Sequence, residues 1–397
     1  MLAAEEHGVE SVIISEPGCY LGKTSERLVV RGPKPRREPV DDEQIAFPFD
    51  APSPTVLTVV TSSGVVHSDP PLRRRRTADG KPVPKTSPDQ IELPLFRISE
   101  IVIATRGVSM STDLIEACCE RGIKVSFITS TGRPTAMLSS PMLTATVVTR
   151  REQLAAYGDA RGVELARAIV RGKLGNQAAL LKYFGKYQKK AAPDTFTDLA
   201  KSVHAIGALR RDVDGVTGER IDDLRGSLLA IEGAAGRHYW SGVRALLEGH
   251  IAFGAREHRG ATDPINSALN YGYGILYTQV WGAVMNAGLE PFAGFLHVDR
   301  PGKPSLVLDL VEEFRQPIVD RAVISAATKG VRLDLNGGML TDDSRRAVAS
   351  AVLDRLEGEA TFRSRRYKLR SILQMQARSV ASFLRGGPAY RSFAFKW

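Results

Sequence analysis

Residues 259–315 read RGATDPINSALNYGYGILYTQVWGAVMNAGLEPFAGFLHVDRPGKPSLVLDLVEEFR, and this stretch decides how the second half of the chain folds. Asp263 and Pro264 predict the start of a helix, because aspartate favours the N-cap and proline the first helical turn. Pro304 and Ser305 predict another helix start, with Ser305 as the N-cap. The helix that follows is mostly apolar, so we expect it to lie inside a domain.

Three acidic residues lie on this second predicted helix. Asp309 and Glu312 are three residues apart and Glu313 is four residues from Asp309, a spacing that places them on one side of an α-helix. Carboxylates on a buried helix are costly unless a cation offsets them. His297 lies just before the helix, and Glu232 lies in another apolar helix, LLAIEGAAGRHYW. One imidazole with two or three carboxylates predicts a site for Mg²⁺ or Mn²⁺.

Each of these residues also has a purely structural explanation. The small residues that follow Glu232 would let another helix approach closely, although packing does not explain a buried carboxylate. A lone histidine such as His297 is most often a hydrogen-bonded core residue. Tyr239 and Asn270 are candidates to hydrogen-bond to the metal ligands, but Asn270 also fits a polar stripe between packed helices. No HExxH, CxxC, Walker or GxSxG motif occurs, so zincin, zinc-ribbon, nucleoside-triphosphatase and serine-hydrolase sites lack support.

The charge of the chain predicts a polyanionic partner. The formal net charge is +10, which favours nucleic acid ahead of an acidic membrane. Residues 362–397 contain nine basic residues and no acidic one. Aromatic residues, among them Phe362, Tyr367, Tyr390, Phe393, Phe395 and Trp397, are interleaved with them. This favours contact with phosphate, whereas a solvated helix face with a basic tail is the alternative.

The start of the chain and its cysteines indicate a cytoplasmic protein. The sequence MLAAEEHGVESV has acidic residues where a signal peptide would carry basic ones. No segment reaches the roughly 20 apolar residues that a membrane span needs. The three cysteines form no disulfide framework and no CxxC pair, which fits a reducing compartment.

The order of patterns predicts an α+β protein. A chain of 397 residues favours two domains. We expect a mainly β domain at 1–138, a linker at 139–149 and an all-helical domain at 150–397. A Pro- and Arg-rich insertion is predicted at about 32–92, because twelve of the 22 prolines fall between Gly32 and Pro94.

Shorter patterns predict individual elements. Residues 10–31 read as one hairpin, a second hairpin is expected across Ser63 and Gly64, and a helix is expected with Ser111 or Thr112 as its cap. Three- and four-residue spacing of apolar residues predicts nine helical segments. These are 144–171, 173–191, 194–212, 220–235, 237–249, 264–288, 305–328, 342–356 and 363–385.

Several phrases together resemble the CRISPR-associated protein one family, whose members are metal-dependent DNA nucleases and integrases of spacer acquisition. They are ISEIVIATRGVSMSTDLIEACCERGIKVSFITSTGRP, LLAIEGAAGRHYW, DPINSALNYGYGILY, GLEPFAGFLH, PSLVLDLVEEFRQPIVDRAV and YRSFAFKW. The resemblance implies that Glu232, His297 and Glu312 are the metal ligands and catalytic residues. Asp309 matches a second acidic position beside the site, and Glu312 is favoured over it as the third ligand.

The resemblance also implies a reaction and partners. Phosphodiester cleavage and transfer of a 3′-hydroxyl would insert prespacer fragments into the CRISPR repeat, with Mg²⁺ or Mn²⁺ as the cofactor. DNA contacts are expected from Arg259, Arg363, Arg365, Arg366, Lys368 and Arg370. A homodimer formed through the exposed strands of 93–128 would bind the small dimeric CRISPR-associated protein two.

Other hypotheses and questions remain open from the sequence. A general nuclease for branched DNA in repair would share the same site, and an architectural DNA-binding protein with an inert metal site is a third hypothesis. The resemblance does not explain the 32–92 insertion, and it does not tell whether an end-trimming nuclease is also needed.

Overall fold

The computed structural model describes residues 10–32, 58–61, 64–67, 90–138, 147–258 and 260–396. The chain divides into two compact units, one comprising residues 1–130 and 135–140 and the other residues 131–134 and 141–397. The first unit is rich in strands and the second is mainly helical, which confirms the predicted fold class. Residues 139–146 lie outside the described residues, so the linker predicted at 139–149 stays a prediction.

The first unit contains two sheets built from ten strands of the described chain. The strands are β1 Glu10–Ile14, β2 Tyr20–Thr24, β3 Arg27–Arg31, β4 Thr58–Thr61, β5 Gly64–His67, β6 Gln90–Pro94, β7 Ile98–Ile103, β8 Ser109–Met110, β9 Lys124–Ile128 and β10 Pro134–Leu138. One sheet has the order β10-β9-β7-β1-β4-β5, with β1, β7 and β9 parallel. The other has the order β6-β3-β2-β8. Leu21, Ile103 and Cys118 belong to one continuous apolar core of this unit.

The predicted hairpin over residues 10–31 is wrong. Strand β1 pairs with β7 and β4 in one sheet, whereas β2 pairs with β3 in the other. Val12, Ile13 and Ile14 are all buried, and a strand buried on both faces takes a central position with a neighbour on each side. The hairpin expected across Ser63 and Gly64 is confirmed by the antiparallel pair β4 and β5. The rest of the predicted insertion falls mostly outside the described residues.

Helix α1, Thr112–Arg121, connects the two sheets, and its cap is Ser111. The Ser111 hydroxyl accepts a hydrogen bond from the backbone N–H of Leu114 at 3.3 Å. Gly122 ends the helix with a left-handed φ of +67°, a conformation that glycine adopts without strain. Of the two predicted caps, the structure therefore selects Ser111.

The second unit contains nine α-helices in the described residues. They are α2 Val147–Ala156, α3 Ala160–Ala191, α4 Pro193–Gly215, α5 Ile221–Leu247, α6 Pro264–Asn286, α7 Ser305–Val311, α8 Arg321–Thr328, α9 Asp342–Glu357 and α10 Leu369–Leu384. Helix α6 is the central one, buried along most of its length and packed against α7, α9 and α10. Its predicted start is confirmed, because Asp263 accepts a hydrogen bond from the N–H of Asn266 at 2.8 Å. No described helix combines the length and the apolar character needed to cross a bilayer.

Two predicted helix breaks are absent. Helix α3 runs through residue 172, and the break lies earlier, where Asp159 caps α3 by accepting from the N–H of Arg161 at 2.8 Å. Helix α5 continues through Gly233 and Gly236. Glycine costs up to about 1 kcal/mol in a helix interior, so burial of the apolar face of α5 outweighs local preference there.

Two other predicted helices are interrupted or replaced. Residues 305–328 form α7, then a π-helical turn at Arg315–Asp320 containing Pro317, then α8. Proline lacks the N–H that a regular α-helix would use, and π-helical turns are frequent at functional sites. Residues 363–368 belong to a hairpin of β13, Glu359–Phe362, and β14, Arg365–Lys368, and a second short hairpin pairs β11, Leu335–Asn336, with β12, Met339–Leu340.

Candidate metal centre

An ammonium group joins two of the three predicted ligands. Lys173 of α3 forms an ion pair with Glu232 of α5, and its Nζ lies 2.5 Å from Oε2 of Glu312, which follows α7. The Lys173 side chain is 10% exposed, that of Glu312 5% and that of Glu232 24%. Three segments distant in the sequence therefore meet around one positive charge with little access to water.

The carboxylate of Asp309 is used entirely to hold the loop that carries His297. It accepts hydrogen bonds from the backbone N–H groups of Phe295, Leu296 and His297 at 2.6, 3.0 and 2.9 Å. Its Oδ1 also lies 2.8 Å from Nδ1 of His297. A buried carboxylate only accepts, so Nδ1 donates and Nε2 keeps the lone pair of the neutral ring. Asp309 thus orients the histidine, which leaves Glu312 as the better candidate for the third ligand.

Ser305 fixes the same loop from the start of α7. Its hydroxyl accepts from the N–H of Gly294 at 2.8 Å and lies 2.6 Å from the carbonyl oxygen of Phe292. Ser305 is the first residue of α7 and makes no capping bond, so the prediction that it is the N-cap is wrong. A Cβ at Gly294 would lie 2.6 Å from the Ser305 carbonyl carbon, so only glycine permits this approach of loop to helix.

Glu312 is stabilised as an anion by two cations. Arg315 lies 3.4 Å from its Oε1, on the opposite oxygen from Lys173. Burial alone would raise the pKa of Glu312, but Arg315 and Lys173 outweigh that effect and lower the pKa to about 2. Glu312 is therefore ionised at any physiological pH, as a metal ligand has to be.

The three acidic residues do not share one helix face as expected. Helix α7 ends at Val311, so the α-helical spacing does not extend to Glu312 and Glu313. Glu313 instead accepts hydrogen bonds from the Tyr390 hydroxyl at 2.6 Å and the Phe393 N–H at 2.8 Å. Burial raises the pKa of Glu313 to about 7. Glu313 therefore anchors a C-terminal segment instead of joining the candidate centre.

Tyr239 and Asn270 contact other groups than the predicted ligands. The Tyr239 hydroxyl donates to Oδ2 of Asp320 at 2.6 Å, and Tyr273 also donates to this buried carboxylate. Asn270 accepts from the guanidinium of Arg256 at 2.5 Å. Tyr239 thus supports the π-helical turn, because Asp320 is its last residue, and Asn270 positions a cation.

The basic residues predicted to bind DNA lie on the hairpin β13–β14 and at the start of α10, except Arg259, which lies outside the described residues. The positive φ angles of Arg363 and Ser364, 49° and 68°, mark a tight two-residue turn between the strands. Ion pairs join Arg366 to Glu359 at 2.8 Å, and Lys368 and Arg370 to Glu357 at 3.1 and 2.5 Å. Part of the positive charge of the hairpin and of the start of α10 is therefore neutralised by Glu359 in β13 and by Glu357 just before it.

The donor chemistry of the cluster fits a divalent cation, although the described residues form no preformed cage. Within the described residues, no group of three or more histidine, cysteine, aspartate and glutamate side chains is arranged to hold a metal ion. The two carboxylates already enclose a cation, the Lys173 ammonium, and the described chain gives His297 Nε2 no hydrogen-bond partner. Carboxylate oxygens with one imidazole suit Mg²⁺ or Mn²⁺.

Part of the surface of α5 near Glu232 is open. A Cβ added at Gly236, four residues along α5, would have nothing within 4 Å, and the same holds for Gly233. These glycines do not serve close helix packing, which was the structural explanation for them. They leave free space beside a half-buried carboxylate.

Lys173 and Arg315 were missed in the sequence. Lys173 lies on the apolar stripe of α3 with Ile169, Asn176 and Leu180, and a charged residue at such a position is a signal for a buried ion pair. Arg315 follows Glu312 by three residues, which predicts an ion pair only if helical geometry holds.

The chain is similar in sequence to known proteins over most of its length. The family model described as CRISPR associated protein Cas1 matches residues 78–353. CRISPR-associated endonuclease Cas1 1 of Archaeoglobus fulgidus is 36% identical over 330 residues, which cover 80% of this chain and 93% of that protein.

Two solved structures share the fold. A casposase bound to its integration product has a TM-score of 0.69 at 18% identity and covers 97% of this chain and 93% of that one. A chain of a Cas6-RT-Cas1–Cas2 complex has a TM-score of 0.65 at 17% identity and covers 99% of this chain and 37% of that one.

Proposed function

Because the chain belongs to the CRISPR-associated protein Cas1 family, we propose that it is a divalent-metal-dependent DNA endonuclease and integrase of CRISPR spacer acquisition. Support comes from the relative named as an endonuclease and from the fold shared with a casposase bound to its integration product. The observation that carries the proposal is the cation-bridged pair of Glu232 and Glu312, together with His297, which Asp309 orients and which lies close enough to act electrostatically on Glu312.

Glu232, His297 and Glu312 would hold Mg²⁺ or Mn²⁺ in this centre. A bound divalent cation supplies Lewis-acid polarisation of the scissile phosphodiester and lowers the pKa of a bound hydroxyl. Asp309 keeps the proton of His297 on Nδ1, so that Nε2 is available as a ligand atom. Arg315 and Lys173 keep Glu312 deprotonated and add positive charge where a phosphate would approach.

DNA would approach over the open face of α5 and bind the basic hairpin. The space beside Gly233 and Gly236 leaves room for a nucleic-acid backbone next to Glu232. Arg363 and Arg365 are exposed on the hairpin, where they can neutralise phosphates and release counterions. Such contacts position DNA without reading its sequence.

The proposed partners follow from the family. One structural neighbour is a complex that contains Cas2, which supports CRISPR-associated protein two as the partner of this chain. A homodimer through the strands of 93–128 is the proposed scaffold for that partner, and light scattering with and without Cas2 would measure both assemblies.

Strand transfer tests the proposed activity. A short DNA duplex with free 3′-hydroxyl ends is incubated with a repeat-bearing plasmid, the full chain, Cas2 and Mn²⁺ or Mg²⁺. We expect insertion at the repeat that requires the metal and is lost in Glu232→Gln and Glu312→Gln. Glu164→Gln is the matched control, because Glu164 is an exposed glutamate on α3.

The outcomes separate the hypotheses. Cleavage of branched DNA without strand transfer would replace the proposal by a repair nuclease. Equal DNA binding and no metal-dependent reaction in any variant would leave an architectural DNA-binding protein. We expect Glu232→Gln to keep DNA binding at low salt, because the basic hairpin does not depend on that carboxylate.

A further inference from the structure

Lys173 contacts two predicted metal ligands at once, whereas an ordinary ion pair would need only one carboxylate. It lies on α3 and approaches both carboxylates that α5 and the end of α7 contribute. Its side chain is almost completely enclosed, and a lysine is rarely buried unless it is paired. One ammonium therefore occupies the space between Glu232 and Glu312 that a shared metal ion would need.

The four groups that form the ion pairs are balanced in charge without a metal ion. Glu232 and Glu312 contribute two negative charges, and Lys173 and Arg315 contribute two positive charges. His297 adds none when neutral, and Asp309, which is hydrogen-bonded to His297, adds one negative charge beside them. A divalent cation would leave an excess of about one positive charge, or about two without Asp309, which is costly at low dielectric unless a positive group withdraws or an anion enters.

We propose that Lys173 is an internal counter-cation that competes with the divalent metal for Glu232 and Glu312, so that metal binding and DNA binding depend on each other. The proposal rests on the metal-dependent function above. A DNA phosphate neutralises the excess charge that the metal introduces, and the displaced ammonium is then free to pair with that phosphate. In the absence of DNA, Lys173 keeps the centre weakly loaded, because the metal must displace it without compensation.

The competition makes opposite predictions for two substitutions. Lys173→Met keeps the length and removes the charge, so it should bind Mn²⁺ about tenfold more tightly than the unmodified chain when no DNA is present. Lys173→Arg keeps the charge and offers two-pronged hydrogen bonds to carboxylates, so it should bind Mn²⁺ several-fold more weakly. Lys182→Met, an exposed lysine on the same helix, is the matched control and should leave the affinity unchanged.

The test is a titration of the full-length variants with Mn²⁺ alone, monitored by electron paramagnetic resonance. The titration is then repeated in the presence of a short DNA duplex. For the unmodified chain we expect DNA to tighten Mn²⁺ binding about tenfold, by the reciprocity of linked equilibria. For Lys173→Met we expect a several-fold smaller effect of DNA, because the competitor is already absent.

Failure of this inference and failure of the proposed function look different. Mn²⁺ binding that is lost in Glu312→Gln but equal or weaker in Lys173→Met would overturn the competition and leave the metal site intact. No Mn²⁺ binding by the folded, unmodified chain or by Lys173→Met, with or without DNA, would overturn both. If Lys173→Met does not fold, the Mn²⁺ affinity of Lys173→Arg tests the proposal instead. Mn²⁺ binding by Lys173→Arg that is equal to or tighter than that of the unmodified chain contradicts the proposal.

Discussion

Asp309 holds His297 by its main chain and by its ring at once, since Oδ1 accepts the backbone N–H at 2.9 Å and lies 2.8 Å from Nδ1. The carboxylate also accepts the N–H groups of Phe295 and Leu296, so a single residue sets the loop and the tautomer. The geometry gives Asp309 a role that needs a carboxylate even if Glu312, as we propose, is the third metal ligand. An amide in its place would turn a donor toward at least one of these N–H groups.

We therefore expect Asp309→Asn to lower Mn²⁺ affinity and strand cleavage by about 10- to 100-fold, the usual cost of removing a carboxylate that orients a metal-binding histidine. The free energy of unfolding should fall by about 1–3 kcal/mol, because buried N–H groups lose their acceptor. Metal titration and urea unfolding measure the two effects. Asp343→Asn, an exposed aspartate in the first turn of α9, should change neither. Full metal affinity in Asp309→Asn would mean that His297 is oriented by other groups.

Substitutions at Gly236 test whether the open face of α5 is the path of DNA. Gly236→Ala should stabilise the protein by up to about 1 kcal/mol, since a Cβ meets nothing within 4 Å and alanine favours a helix. Gly236→Leu should keep the fold and the Mn²⁺ affinity but reduce cleavage at least about tenfold, because it fills space that the DNA backbone needs. Thermal unfolding, metal titration and a cleavage assay separate these effects. Unchanged cleavage by Gly236→Leu would show that DNA takes another route.

The basic residues of the hairpin and of the start of α10 should contribute unequally to DNA binding. Arg365 is exposed and forms no ion pair within the described residues, whereas Arg370 is paired with Glu357 and its side chain is 15% exposed. Arg365→Ala should lower DNA affinity for all sequences alike and reduce the slope of log K against log salt by about 1. Arg370→Ala should change that slope less. Fluorescence anisotropy at several salt concentrations measures it, and equal slopes for both variants would contradict the difference in pairing.

Glu313 should make stability depend on pH near neutrality. Burial raises its pKa to about 7 from an ordinary value of 4.5, so its contribution is fully present below pH 4.5 and is lost as the pH rises through 7. The difference, 7 minus 4.5, corresponds to about 3 kcal/mol. Glu313→Gln cannot ionise but disturbs the bonds to Tyr390 and Phe393, so its free energy of unfolding should be lower than that of the unmodified chain at pH 5. This difference in the free energy of unfolding should be smaller at pH 8.5, because only the unmodified chain loses stability as Glu313 ionises.

Urea unfolding at both pH values measures the gap, with Glu164→Gln as the control for an exposed glutamate. A gap that stays constant between pH 5 and pH 8.5 would show that Glu313 is ionised throughout, held by its three hydrogen-bond donors.

Periodicity predicted the fold class and most helices, because apolar spacing reflects burial directly. It placed the ends of helices less well. Helix α5 continues through Gly236 because tertiary burial outweighs the cost of glycine, and α7 stops at Val311 although its apolar pattern continues. The strand pair at Arg363 and Ser364 was missed because neither residue is a glycine, although both have positive φ.

Sequence spacing predicted that Asp309, Glu312 and Glu313 act as one group, but in the structure each of them contacts a different set of residues. Asp309 contacts the His297 loop, Glu312 contacts Lys173 and Arg315, and Glu313 contacts the C-terminal segment. Nothing in the local sequence distinguishes these partners, because each comes from a segment remote along the chain. The assignment of Glu232, His297 and Glu312 as ligands stays a prediction that metal titration can test.

The bonds from Glu313 to Tyr390 and Phe393 tie the segment beside the candidate centre to residues 390–395. Tyr390 is 77 residues later in the sequence than Glu313, and Asn176 bonds the same C-terminal segment from 219 residues before Phe395. Closing contacts over such separations costs more loop entropy than closing local ones, so we expect these contacts to form after the local helices. We therefore expect a partly synthesised chain to hold most of its helices while Glu313, next to Glu312, still lacks its partners.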